Sequence, residues 1–253
     1  MVQEPPRRTS FSGPTLIRLL ARLTDADIPE ARQSLPDRLS LWLGWTDAIA
    51  LSSVLNGTAP AVPAGAQVSD SAEETECSRV RAELISAVTD NSALKVRQRV
   101  PLRATATGAP KAPAIVEYST YRRCYATLQQ SMETRIASLR TRLRATLASR
   151  SPEMARLAAL DAAMERALSE REYGALAGVP TLLEGHFKRL REAAGTTLDD
   201  DPAALHSQGA ASDAWLDEFR KDMQSILLAE LDIRLQPVEG LLAAIRACQH
   251  RTL

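Results

Sequence analysis

The sequence predicts an all-α protein, an elongated bundle of six to eight helices with long amphipathic members and two Pro/Ala-rich linkers. Three observations lead there. Aromatic residues make up only 4% of the 253, and Ala and Leu fill most apolar positions. That suits closely packed helices better than a sandwich or barrel, which would draw on Val, Ile, Tyr and Phe. Next, Tyr121, Tyr125, Leu128, Met132, Ile136, Leu139, Leu143 and Leu147 recur in steps of three and four. At helical periodicity they share an arc of roughly 100°. Finally, the 11 glycines are sparse and the 14 prolines gather between periodic segments.

The chain is long enough for one large or two small domains with a sizeable core. It divides into an N-terminal helical segment at 1–56, a linker at 57–75, a short helix and basic loop at 76–117, and a main helical domain at 118–253. Residues 1–12 read as a polar start. Gly13-Pro14 opens a short helix carrying Leu16, Ile17, Leu19, Leu20 and Leu23. Residues 36–56 are the most apolar stretch and read as one helix, started at Pro36 and stopped at Asn56-Gly57. Leu39, Leu41, Trp42, Leu43, Trp45, Ile49, Leu51, Val54 and Leu55 point nearly all round it. Such a helix belongs in a core, the expectation taken here, or against a protein partner or a membrane surface.

Residues 57–72 are Pro, Ala, Gly and Ser without periodicity. A helix at 73–89 carries Val80, Leu84, Ile85 and Val88 on one face. Residues 90–117 read as a basic, Pro-interrupted loop with an extended piece at 96–102. The stripe of 121–147 then gives a helix of about 30 residues and about 45 Å, which needs an equally long partner or several shorter ones. Ser151-Pro152-Glu153 marks a new start: a side-chain cap, a residue with no N–H to leave unpaired, and a carboxylate at the positive helix end. Met154, Leu157, Leu160, Met164 and Leu168 should face one way, and the pair 118–176 is the expected spine.

Gly178-Val179-Pro180 breaks the chain, and Thr181 caps a helix with Leu182, Leu183, Phe187 and Leu190 on one face and Gly195 as its stop. Ser212-Asp213 caps a last helix bearing Trp215, Phe219, Met223, Ile226 and Ile233. Pro237 must kink or end it, because proline removes a hydrogen bond and clashes with the preceding turn.

Lys+Arg and Asp+Glu are equal at 31 each, but they are segregated. Residues 1–94 hold 8 basic and 12 acidic side chains (net −4), 95–150 hold 12 and 2 (net +10), and 151–253 hold 11 and 17 (net −6). Within the basic middle, Arg122, Arg123, Arg140 and Arg144 lie on the side of the helix away from the apolar stripe. They form either a surface for phosphates, of nucleic acid or lipid heads, or a face that pairs with the acidic helices of the same chain. No zinc-finger spacing, helix-turn-helix signature or aromatic RNA-binding motif supports the first.

Chemistry finds little purchase. Asp199-Asp200-Asp201 lacks the alternating ligands, central Gly and distal Glu of a calcium loop and reads as a solvated turn. His186, His206 and His250 have no partner at zinc spacing, and His186 reads as a surface residue. There is no nucleophile elbow, phosphate loop or dinucleotide fingerprint. The expectation is a protein without catalytic activity, cofactor or metal. Cys77, Cys124 and Cys248, odd in number and far apart, read as reduced, buried thiols of a cytosolic protein. No export signal follows the N-terminal arginines, and no apolar run is long enough for a spanning helix.

WLGWTDAIALSSVLNG at 42–57, SPEMARLAALDAAMERAL at 151–168, GVPTLLEGHF at 178–187 and LLAELDIRLQPVEGLLAAI at 227–245 resemble a bacterial helical family of unknown function. The resemblance covers nearly the whole chain and is least at 57–75 and 100–116. It implies genes beside those for stator-channel-like and outer-membrane-anchoring proteins, hence a cytoplasmic accessory peripheral to the inner membrane. It carries no catalytic residues. The functional expectation is therefore a non-enzymatic interaction or scaffold component of an envelope-associated complex. Its partners would be other proteins, membrane-complex subunits or further copies of itself, and its candidate surface is Trp42, Trp45, Arg122, Arg123, Arg140 and Arg144. The alternative is a nucleic-acid-binding accessory that uses the arginine-rich helix 118–150.

Overall fold

A computed structural model describes residues 14–24, 34–57, 70–90, 117–199 and 208–249. The described residues form eight helices and no strand. They are α1 (Thr15–Thr24), α2 (Leu35–Trp42), α3 (Trp45–Asn56), α4 (Asp70–Thr89), α5 (Tyr118–Ala148), α6 (Pro152–Ala177), α7 (Val179–Asp199) and α8 (Gln208–Gln249). The all-α class is thus as the composition and periodicity indicated.

The core is built on α5. All eight residues of its stripe are buried, and Tyr125, Leu143 and Leu147 are fully so. The partner that fills this stripe most is α8 rather than α6, which corrects the expected spine. α8 also meets α1, α4 and α7, so it serves as the central post. Its burial explains why: Phe219, Met223, Ile226 and Leu227 are fully buried, and Leu231, Leu235, Val238, Leu241 and Ile245 continue the buried surface. An apolar surface this wide cannot be served by one neighbour. Aromatic rings knit α5, α7 and α8 together, with Phe187 and Phe219 edge-on at 5.0 Å and Tyr121 edge-on to Phe219 at 5.2 Å.

Pro237 does not end α8, which runs through it to Gln249. The buried residues on either side, Leu235 and Val238, hold that turn against the core and offset the missing hydrogen bond. α8 also begins at Gln208, ahead of the expected Ser212 cap. Likewise α7 passes Gly195 and reaches Asp199. Asp200, Asp201, His206, His250 and the expected extended piece at 96–102 lie outside the described residues.

Other local expectations meet tertiary facts. Ser151 caps α6, its Oγ accepting from Met154 N–H at 3.3 Å, with Pro152 in the first turn. Yet α6 does not bury the expected Met/Leu stripe. Ala155, Ala158 and Ala163 are buried while Leu157 is exposed; Ala158 joins the core cluster that α5 shares, and α6 packs against α3 as well as α5. α4 starts at Asp70, inside the expected linker 57–75, and is a full 20 residues long. Val80, Leu84 and Val88 are buried, and Ile85 is exposed. On α7, Leu183, His186 and Phe187 face inward and Leu182 faces solvent. His186 is therefore a buried residue, not a surface one: its Nε2 sits 2.8 Å from Asp222 on α8, which Arg22 of α1 also contacts at 3.4 Å. These contacts, with Leu16 and Leu23, dock α1 onto α7 and α8.

Candidate interaction surface

The apolar stretch 36–56 departs furthest from expectation. It is two helices, broken at Leu43-Gly44, and no residue of α3 is buried. The break has a local cause. Asp47 reaches back so that its Oδ2 accepts from Gly44 N–H at 3.0 Å, and Gly44 becomes the N-cap of a new helix. α2 starts with the reciprocal bond: the N-cap Ser34 Oγ accepts from Asp37 N–H at 3.4 Å. Gly57 closes α3, where any Cβ would lie 2.4 Å from the Ser53 carbonyl oxygen.

α3 lies on α6. Asp47, Ala50, Leu51 and Val54 are its half-buried residues. Their spacing of three, one and three defines one helix face, and it is the face against α6. Two arginines of α6 pin the ends: Arg171 Nε donates to the Trp42 carbonyl at 3.2 Å and Arg156 Nη2 to the Gly57 carbonyl at 3.2 Å. The two helices therefore run antiparallel. The opposite face holds Trp45, Ala48, Ile49, Ser52 and Leu55, all exposed. Trp45 is 82% exposed, Leu41 65%, Leu55 54%, Ile49 53% and Trp42 39%. These are half of the ten large apolar side chains that remain exposed among the described residues. Apolar surface gathered in this way marks a contact site more often than the same residues scattered singly.

The arginine face divides. Arg140 and Arg144 turn to α6 and are only 11% and 15% exposed. Arg140 grips Asp161 in bidentate fashion (Nε–Oδ2 2.8 Å, Nη2–Oδ1 2.6 Å). Arg144 Nε shares the same Oδ2 at 2.6 Å and its Nη2 reaches Glu165 at 2.5 Å. Burial alone would raise the Asp161 carboxyl, but the two guanidinium hydrogen bonds and their charges outweigh it and hold it below the usual carboxylate range. Those two arginines therefore take the intrachain alternative and leave the expected phosphate surface. Arg122 and Arg123 are exposed on α5 and form no ion pair with a described residue. Arg123 and Arg135 bracket an open groove along α5 floored by Ala126, Thr127, Gln130, Ser131 and Thr134. Arg135 is paired with Glu83 of α4.

Two buried carboxylates escaped the sequence reading. Glu230 is fully buried on α8, accepting from Tyr125 Oη at 2.6 Å, Gln129 Nε2 at 3.0 Å and Arg234 Nε at 2.9 Å. Burial, then the neighbouring carboxylate, pushes the Tyr125 hydroxyl far up, so it stays a donor. A signal existed: Glu230 stands four residues past Ile226 on the apolar stripe, with Arg234 four further on. Glu73, 1% exposed, accepts from Thr146 at 3.1 Å and faces Arg142 Nε at 3.0 Å, joining α4 to α5. Both clusters tie helices together in the core. Among the described residues no group of three His, Cys, Asp or Glu could hold a metal ion, and no helix is long and apolar enough to cross a membrane. Cys77, Cys124 and Cys248 form no disulfide, and of the three Cys124 is buried while Cys77 and Cys248 are half-buried rather than buried as expected. Burial, then Glu73 and Glu76, pushes the Cys77 thiol up, away from the reactive thiolate.

A family model described as "Protein of unknown function (DUF3348)" matches residues 1–247. The chain belongs to that family. The match takes in both the α2–α3 surface and the α5–α8 core of this DUF3348 protein. No curated protein and no solved structure matches it.

Proposed function

We propose that this DUF3348 protein is a non-enzymatic interaction or scaffold component, and that α2–α3 is its contact surface. One observation carries the reading: the most apolar stretch of the chain is folded, pinned to α6 at both ends, and yet leaves Trp45, Ile49, Leu41 and Leu55 in solvent. Burying such side chains on a partner removes apolar surface from water at about 25 cal/mol per Å². The core behind them is complete without them, so they are free to serve a partner. The resemblance noted above supports an assembly at the bacterial envelope, with this chain on the cytoplasmic side of the inner membrane.

The test is a nuclease-treated pull-down of the tagged full chain from its native cells, beside a Trp45→Ser/Ile49→Ser variant. The expected result is a set of partner proteins recovered with the parent chain and depleted at least tenfold with the variant. Equal recovery by both chains removes α2–α3 from the interaction. The nucleic-acid reading now rests on Arg122 and Arg123, since Arg140 and Arg144 are engaged by Asp161 and Glu165. It predicts nucleoprotein that is recovered only without nuclease and lost in Arg122→Glu/Arg123→Glu.

A further inference from the structure

We infer that the outer face of α3 is a self-association surface, on which two copies of this chain pack their α3 helices antiparallel about a two-fold axis. This rests on the proposed role of α2–α3 as a contact surface and names the first occupant. The face carries no charge to select an oppositely charged partner. Between residues 39 and 57 the only charged side chain is Asp47. Its carboxylate is spent on the Gly44 N–H, on the half-buried side of the helix. An amphipathic helix that seats on an anionic bilayer is flanked by basic residues on its polar face. Here the flanking outward positions of α3 are Thr46, Ser53 and Asn56, and the cations at its two ends, Arg156 and Arg171 of α6, are turned to the Gly57 and Trp42 carbonyls.

The size pattern is self-complementary. Trp45 and Leu55 stand at the two ends of the face, and Ala48 and Ser52 lie symmetrically about its middle. In an antiparallel pair centred on residue 50, Trp45 of one copy meets Leu55 of the other, and Ala48 meets Ser52. The Trp45–Leu55 pairs fall at the ends, and the small Ala48–Ser52 pairs leave room at the crossing for Ile49 of each copy, one residue from the centre. A patch that meets itself in this way is what a two-fold dimer requires. The area also suffices. At the exposures given above, Trp45, Ile49 and Leu55 of α3 present roughly 450 Å² per copy, and Leu41 and Trp42 of the adjoining α2 bring the apolar patch to roughly 600–700 Å², near the ~800 Å² per partner of a standard stable interface.

The experiment uses the full chain. Light scattering and sedimentation should show a concentration-dependent dimer, with Ile49→Glu and, separately, Trp45→Ser weakening it at least tenfold while helical CD is unchanged. Cysteine cross-linking fixes the register. Under mild oxidation an Ala48→Cys chain mixed with a Ser52→Cys chain should give a covalent dimer above that from either variant alone or from the parent cysteines. A parent chain that stays monomeric at about 100 µM, well above a micromolar Kd, overturns the inference. So does a dimer indifferent to both α3 variants, or Ala48→Cys cross-linking best with itself. In those cases flotation with neutral phosphatidylcholine vesicles tests lipid as the occupant. The pull-down separates the two readings: heterologous partners still lost with Trp45→Ser/Ile49→Ser preserve the contact surface without the dimer.

Discussion

Removing Asp161 tests whether the arginine cluster is internal architecture. The perturbation is Asp161→Asn, which keeps the shape and removes the charge shared by Arg140 and Arg144. Asp161 is 17% exposed, and the two guanidinium groups 11% and 15%. An exposed pair is worth about 0.2–1 kcal/mol. Breaking a fully buried pair by deleting one partner costs about 3–5 kcal/mol, because the other charge is left without compensation. This cluster lies between those limits and keeps Glu165, which is 32% exposed, as a fallback for both arginines. The expected loss is therefore about 2–3 kcal/mol, or about 5–10 °C in Tm for a chain of this length. The assay is urea and thermal unfolding followed by helical CD. A double variant, Arg140→Met/Asp161→Leu, should recover part of the loss of Asp161→Leu alone, since it removes a charge that the single variant strands. The pH arm has a definite sign. The Asp161 carboxyl titrates lower folded than its ordinary value of about 3.9. Its stabilisation is then complete above that value and is lost as pH falls through the folded one. Asp161→Asn should flatten this acid limb. A loss below about 1 kcal/mol with an unchanged acid limb would refute a shielded cluster and return Arg140 and Arg144 to the solvent face.

Three further outcomes follow from the same structure. Leu143→Ala, at a fully buried position of the α5 stripe, should cost about 2–5 kcal/mol in urea unfolding, while Leu157→Ala on the exposed side of α6 should cost under about 1. Gly240→Ala should stabilise by about 0.4–1 kcal/mol, because it lies within α8 with nothing inside 4 Å of an added Cβ, and alanine has the better helix propensity. Ser151→Ala should cost about 1 kcal/mol through loss of the α6 cap, and Ser151→Asp should restore most of it.

The sequence by itself determined the helix class, the buried stripe of α5 and several helix ends. These follow from periodicity and capping, which act over four residues and need no knowledge of neighbours. Tyr121 through Leu147 are buried as spaced, and Ser151 and Gly57 cap as their chemistry requires. The tertiary structure decided what covers each apolar surface. Hydropathy says that Trp45 and Ile49 would leave water if they could, and that Leu157 and Leu182 should follow. It does not say that Ala158 of α6 would join the core while Leu157 stays outside, or that α8 would be the post around which α1, α4, α5 and α7 stand. The same limit governs charge. Arg122, Arg123, Arg140 and Arg144 share a face in sequence, and only the arrival of Asp161 and Glu165 from α6 divides them into two exposed and two held inside. Glu230 shows the converse: a carboxylate on an apolar stripe becomes tenable once Tyr125, Gln129 and Arg234 converge on it, and two of those three donors come from a helix about a hundred residues away. Local propensity reads along one helix, whereas burial and pairing are properties of the space between helices.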